Sequence, residues 1–121
     1  IQLGLKPILC DCNKEDLSID IDHLKTLINE YNPKCVMVVP ILGLVPKMDK
    51  ISKLCKDNNI TLIEDSCESL GSKFKDKQLG SFGEMSTFST YFGHHISTIE
   101  GGMVCTNNDY FANLLKSLSW I

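Results

Sequence analysis

The chain is 121 residues long, 43% hydrophobic and 22% charged, a composition that suits one globular unit and excludes a disordered or collagen-like chain. No apolar run reaches bilayer length, and a formal charge of −3 without a basic cluster argues against a nucleic acid or membrane partner. All 12 basic residues are lysine, so planar clamping of a phosphate or carboxylate must come from backbone amides, hydroxyls or residues outside this chain.

In chain order, Pro7-Ile8-Leu9-Cys10 reads as a strand. Asp20 is placed to cap a helix with apolar positions Leu24, Leu27, Ile28 and Tyr31 at i, i+3, i+4 and i+7, and Asn32-Pro33 ends it. Val36–Val39 is the next strand. Pro46 suits the first turn of a second helix carrying Met48, Ile51, Leu54 and Cys55 on one side, closed by Asn58-Asn59. Thr61–Ile63 follows as a third strand. Apolar runs alternating with amphipathic helices predict β-α-β units around a parallel sheet buried on both faces. Beyond residue 70 the texture changes, because six of the 8 glycines (71, 80, 83, 93, 101 and 102) fall in a stretch of turns. Met85–Thr90 and Gly102–Thr106 read as strands there, and Asp109–Trp120 has helical spacing.

The 6 cysteines (10, 12, 35, 55, 67 and 105) include no CxxC pair, so the expectation is reduced, mostly buried thiols in a cytoplasmic protein. Glu64-Asp65 closes the third strand, and in open parallel sheets ligands sit at strand carboxyl ends; the plainer alternative is a solvated pair of charges. His94-His95 offers imidazole, which donates and accepts near neutral pH, against the alternative of a structural histidine. Adjacent residues of an extended segment face opposite ways and no further ligand stands at zinc-like spacing, so no metal site is expected. The glycines match neither a dinucleotide fingerprint nor a P-loop and read as turns with positive φ. His23 reads as a surface residue, and Lys73, Lys75 and Lys77 as solvated charge.

Taken together, the segments IEDSCESLGSKF, LGSFGEMSTFS and HHISTIEGGMVCTN, preceded by LGLKPILCDCNKEDLSIDIDHL, resemble the DegT/DnrJ/EryC1/StrS family of pyridoxal phosphate-dependent nucleotide-sugar aminotransferases. The resemblance spans nearly the whole chain. It implies an α/β fold with a mostly parallel mixed sheet between helices, part of the large domain of the fold-type I aminotransferase architecture. It also implies that residues 1–121 are the central part of that domain, a fragment without the N-terminal segment and the C-terminal small domain; the Ile1 start fits this.

By the same resemblance, Asp65 pairs with the pyridine nitrogen of the cofactor, Ser89 binds its phosphate, and Glu68 stands where many members have Gln beside the phenolic oxygen. His94 occupies the place of the lysine that holds the cofactor covalently. That exchange, in a Tyr91-Phe92-Gly93-His94-His95 context, resembles the sugar 3-dehydratase branch of the family. The implied cofactor is pyridoxamine 5'-phosphate or pyridoxal 5'-phosphate, with His94 as catalytic acid and base. The implied partners are a nucleotide-linked 4-keto-6-deoxyhexose, GDP-linked in preference to CDP-linked, glutamate as amino donor, and a second copy in a homodimer of the full-length protein. A lysine-dependent aminotransferase and a non-catalytic regulatory domain on the same fold are the alternatives.

Overall fold

The computed structural model describes residues 3–118. Asp20 caps helix α1 (Ile21–Tyr31), its carboxylate accepting from the Asp22 and His23 N–H groups, and left-handed Asn32 closes it. Strand β1 (Cys35–Val38) follows, then a 3-10 turn (Ile41–Gly43) and helix α2 (Met48–Asp57). Pro46 lies two residues before that helix, ahead of its first turn rather than in it. Strand β2 (Thr61–Asp65) runs two residues beyond the predicted end. A short hairpin of β3 (Lys73–Phe74) and β4 (Lys77–Gln78) leads to β5 (Met85–Ser89), β6 (Gly102–Cys105) and helix α3 (Asp109–Leu118). The last two residues of the predicted Asp109–Trp120 helix lie outside the described residues.

The main sheet has the order β1-β2-β5-β6. The first three strands are parallel and β6 is antiparallel to β5, which makes the sheet mixed. Helices α1 and α2 lie over one face, where Leu24, Ile28, Met48, Ile51 and Cys55 pack with Val36, Val38 and Leu62. The opposite face is more open than continuous apolar strands predict: burial alternates along β1, and Met37 is 56% exposed. Among the described residues, no helix is long and apolar enough to cross a membrane.

Pro7–Cys10 is not a strand. A strand exists only as part of a ladder, and this stretch finds no partner among the described residues; Leu9 is 88% exposed and the nearest pairing is a lone Cys12–Ile19 bridge. All 6 cysteines are free, but only Cys55 is buried, while Cys12, Cys35 and Cys105 are exposed. Their strands or loops are covered on one side at most, which corrects the expectation of mostly buried thiols.

The glycines divide by cause. Gly71, Gly80 and Gly101 adopt positive φ. Gly83 and Gly102 do not, and close approach requires them instead: an added Cβ would meet the Leu62 and Phe88 carbonyl oxygens at 2.5 and 2.9 Å.

Candidate functional site

The carboxyl ends of the parallel strands β1, β2 and β5 lie at one edge of the sheet, and the polar residues singled out above lie at or just beyond them. Asp65 is the last residue of β2 and faces away from the α1–α2 layer, paired in register with Thr87 of β5. Its Oδ1 accepts from the Cys67 N–H at 3.2 Å and from the Thr87 hydroxyl at 3.0 Å. Burial pushes the Asp65 carboxyl upward, but the Cys67 thiol and N–H, the Thr87 hydroxyl and the His94 charge outweigh it. They hold the group below the usual carboxylate range, so Asp65 is an anion at neutral pH. The Cys67 thiol, partly desolvated and beside that anion, is pushed up and stays protonated.

Glu64, one residue earlier, points to the opposite face and is 0% exposed. It is not the solvated strand-end charge that its position suggests. Its Oε1 accepts from the Phe82 and Gly83 N–H groups at 2.6 and 2.7 Å, and its Oε2 from the Gly80 N–H at 2.7 Å.

Glu68 lies just past β2, and its Oε2 accepts from the Leu42 N–H at 2.7 Å. Leu42 sits at φ 55 in the turn that follows β1, so the carboxylate ties the exits of β1 and β2 together. Ser89 ends β5 on the same strand face as Thr87, and its Oγ accepts from the Tyr91 N–H at 3.2 Å. That bond uses an acceptor lone pair and leaves the hydroxyl proton free to be donated.

Residues 91–96 form turns and bends, and the His94 N–H donates to the Tyr91 carbonyl at 3.0 Å. The extended geometry expected for His94-His95 is therefore absent. The two still differ: His94 is half-buried, edge-on to the Tyr91 ring with centroids 6.4 Å apart, while His95 is exposed. His94 is also close enough for its charge to act on Asp65. His23 is half-buried rather than fully exposed, and its Nδ1 accepts from the Asp11 N–H at 3.0 Å. Lys73, Lys75 and Lys77 are exposed on the β3–β4 hairpin, where Lys75 pairs with Asp49 at 3.1 Å. Among the described residues, no three His, Cys, Asp or Glu side chains converge as metal ligands.

Sequence reasoning missed Thr87 and, although it named Glu64 with Asp65 at the strand end, missed that Glu64 is buried. Thr87 stands two residues before Ser89 and so shares its strand face, a period-2 signal that was available. The signal for Glu64 was fainter, residing in the glycines at 80 and 83 that let a loop close on a carboxylate.

A three-stranded parallel core extended by one antiparallel strand, with an acid and hydroxyls at the strand exits, makes this an α/β domain. The family model described as "DegT/DnrJ/EryC1/StrS aminotransferase family" matches residues 1–120, and the chain belongs to that family. It is 40% identical over 114 residues to GDP-4-keto-6-deoxy-D-mannose 3-dehydratase of Yersinia pseudotuberculosis, an overlap covering 94% of this chain and 29% of that protein. A solved structure of E. coli GDP-4-keto-6-deoxy-D-mannose-3-dehydratase with bound hydrated PLP superposes with a TM-score of 0.82 at 39% identity, covering 88% of this chain and 27% of that one. A Helicobacter pylori aminotransferase involved in the biosynthesis of pseudoaminic acid gives a TM-score of 0.87 at 33% identity, over 95% of this chain and 30% of that one. The chain thus spans less than a third of the length of these relatives.

Proposed function

We propose that the chain is the central part of the cofactor-binding large domain of a pyridoxamine phosphate-dependent 3-dehydratase. Its substrate is a nucleotide-linked 4-keto-6-deoxyhexose, with the GDP-linked sugar favoured, and its pathway is deoxysugar biosynthesis for surface polysaccharide. The complete enzyme works as a homodimer in the cytoplasm and uses glutamate to restore the amine form. The single observation that carries this reading is the histidine at position 94, half-buried in the turns that follow β5, where an aminotransferase of the family needs its lysine.

The residues present fit the cofactor. Asp65, an anion whose Oδ1 is fixed by two donors, would accept from a ring N–H and keep the ring protonated. Ser89 has its hydroxyl proton to give to a phosphate oxygen, a role for a short neutral donor in a chain without arginine. Glu68, oriented by the Leu42 N–H on its Oε2, would stand beside the phenolic oxygen, where many members of the family have Gln. The chemistry supplied by such a cofactor is an amine for the 4-keto carbon and a ring that accepts an electron pair.

His94 then has two tasks, to take a proton from the cofactor methylene carbon and to give one to the departing 3-hydroxyl. Imidazole suits both, because its ordinary pKa lies near the working pH, whereas a free lysine lies near 10.4. Similarity to GDP-linked relatives supports the choice of nucleotide.

The test is reductive trapping. Complete protein loaded with pyridoxal phosphate and treated with borohydride is expected to carry no cofactor on residues 1–121; a reduced adduct on any lysine of this segment overturns the dehydratase reading.

A further inference from the structure

Glu64 is a fully buried acid that the proposed chemistry does not use. Burying a carboxylate costs heavily unless it is compensated. Among the described residues, Glu64 forms no ion pair, and its compensation is three backbone N–H groups from one short loop, those of Gly80, Phe82 and Gly83. Successive N–H groups turned inward in this way make an anion cradle.

The loop is shaped for the task. Gly80 sits at φ +85, where a Cβ would meet the Phe88 ring at 2.5 Å, and a Cβ on Gly83 would meet the Leu62 carbonyl oxygen at 2.5 Å. Gly80 thus lets the loop pack against Phe88 of β5, and Gly83 lets it pass close to the Leu62 carbonyl of β2. The chain then passes directly into β5: the Glu84 N–H donates to the Leu62 carbonyl at 2.9 Å, and the register runs Ile63–Met85, Glu64–Ser86, Asp65–Thr87.

We propose that Glu64 is a positioning residue: by clamping the 80–83 loop it sets the register that brings the Thr87 hydroxyl onto Asp65 and orients the Asp65 carboxylate for a ring nitrogen. This rests on the reading of Asp65 given above. Side chains alternate along a strand, so a slip of one residue would turn Thr87 and Ser89 away from the Asp65 face. Glutamine cannot substitute at position 64, because its single amide oxygen replaces two acceptors and its NH₂ would meet at least one N–H donor head-on.

The test uses the complete protein and pyridoxamine phosphate as probe, titrated calorimetrically into wild type, Glu64→Gln and Asp65→Asn, with circular dichroism to establish that each is folded. Glu64→Gln is expected to weaken binding about tenfold or more, since small displacements of a positioned group have effects of this size. Folded Glu64→Gln that binds like wild type, beside a weakened Asp65→Asn, overturns the positioning role and leaves the Asp65 reading intact. Wild type that does not bind the probe, or Asp65→Asn that binds like wild type, overturns the Asp65 reading and the positioning role with it.

A second measurement on wild type holds even where Glu64→Gln does not fold. The Phe82 and Gly83 amides are expected to be protected from hydrogen exchange and to gain further protection when pyridoxamine phosphate binds. A purely structural clamp would protect them equally with and without the probe, and that result overturns the proposal.

Discussion

Asp65→Asn perturbs the proposed cofactor contact while sparing the local hydrogen bonds. Two donors, the Cys67 N–H and the Thr87 hydroxyl, meet at Oδ1, so an asparagine must put its carbonyl oxygen there. Its NH₂ then takes the place of Oδ2 and offers a donor to the ring nitrogen, which selects the unprotonated ring and removes the ion pair. Losing one partner of a hydrogen-bonded charge pair typically costs about 2–5 kcal/mol. Asp65 is only partly buried, and solvent screening puts the loss at about 2–3 kcal/mol. That is about 30- to 150-fold in affinity for pyridoxamine phosphate. Calorimetric titration of the complete protein reads the affinity. Affinity and turnover within about threefold of wild type would refute the reasoning and reduce Asp65 to a strand-end charge.

Ile51→Ala, which empties a fully buried site where α2 meets the sheet, is expected to cost about 2–5 kcal/mol in denaturant unfolding of the complete protein, and a loss under about 1 kcal/mol would contradict that packing. Thr87→Val removes a donor from Asp65 and so raises its carboxyl toward the ordinary range. The lowered folded pKa of Asp65 stabilises the protein above its unfolded value of about 3.9, and that contribution is lost as pH falls through the folded value. The acid limb of stability against pH is thus expected to move upward in Thr87→Val, and an unmoved limb would dissociate Thr87 from Asp65. His94→Lys is expected to attach pyridoxal phosphate covalently, visible as a red-shifted absorption band and a borohydride-stable adduct, with loss of 3-deoxygenation.

The helices were legible because their signals are local: Asp20 at the cap, Asn32 at the close, and apolar positions recurring every three or four residues through Leu24 and Ile28 or Met48, Ile51 and Cys55. The same holds for β1, β2, β5 and β6, whose predicted spans differ from the observed ones by one or two residues at their ends. Pro7–Cys10 misled because an apolar run says nothing about whether a ladder partner exists. At the site, Asp65 was marked by its place at a strand end, His94 by its imidazole and by family resemblance, and Ser89 and Glu68 by the resemblance alone. What composition could not disclose is pairing across the chain. Thr87 meets Asp65 only through the β2–β5 register, and Glu64 is buried only because a loop sixteen to nineteen residues later closes over it. The turn geometry at His94 was equally hidden, since Tyr91-Phe92-Gly93 has the composition of a strand end as much as of a turn.

The central claim is that His94 carries protons at the substrate, and single-turnover 3-deoxygenation by the complete protein tests it most directly. His94→Asn and His95→Asn are compared with wild type, each loaded with pyridoxamine phosphate and given the GDP-linked 4-keto-6-deoxyhexose. Proton-transfer catalysis contributes about 10² to 10⁴ in rate, so His94→Asn is expected to fall by at least about 10²-fold while still binding cofactor. His95→Asn is expected to lose far less, because that side chain is exposed whereas His94 is half-buried against Tyr91. Deoxygenation that survives His94→Asn and collapses in His95→Asn would contradict the account.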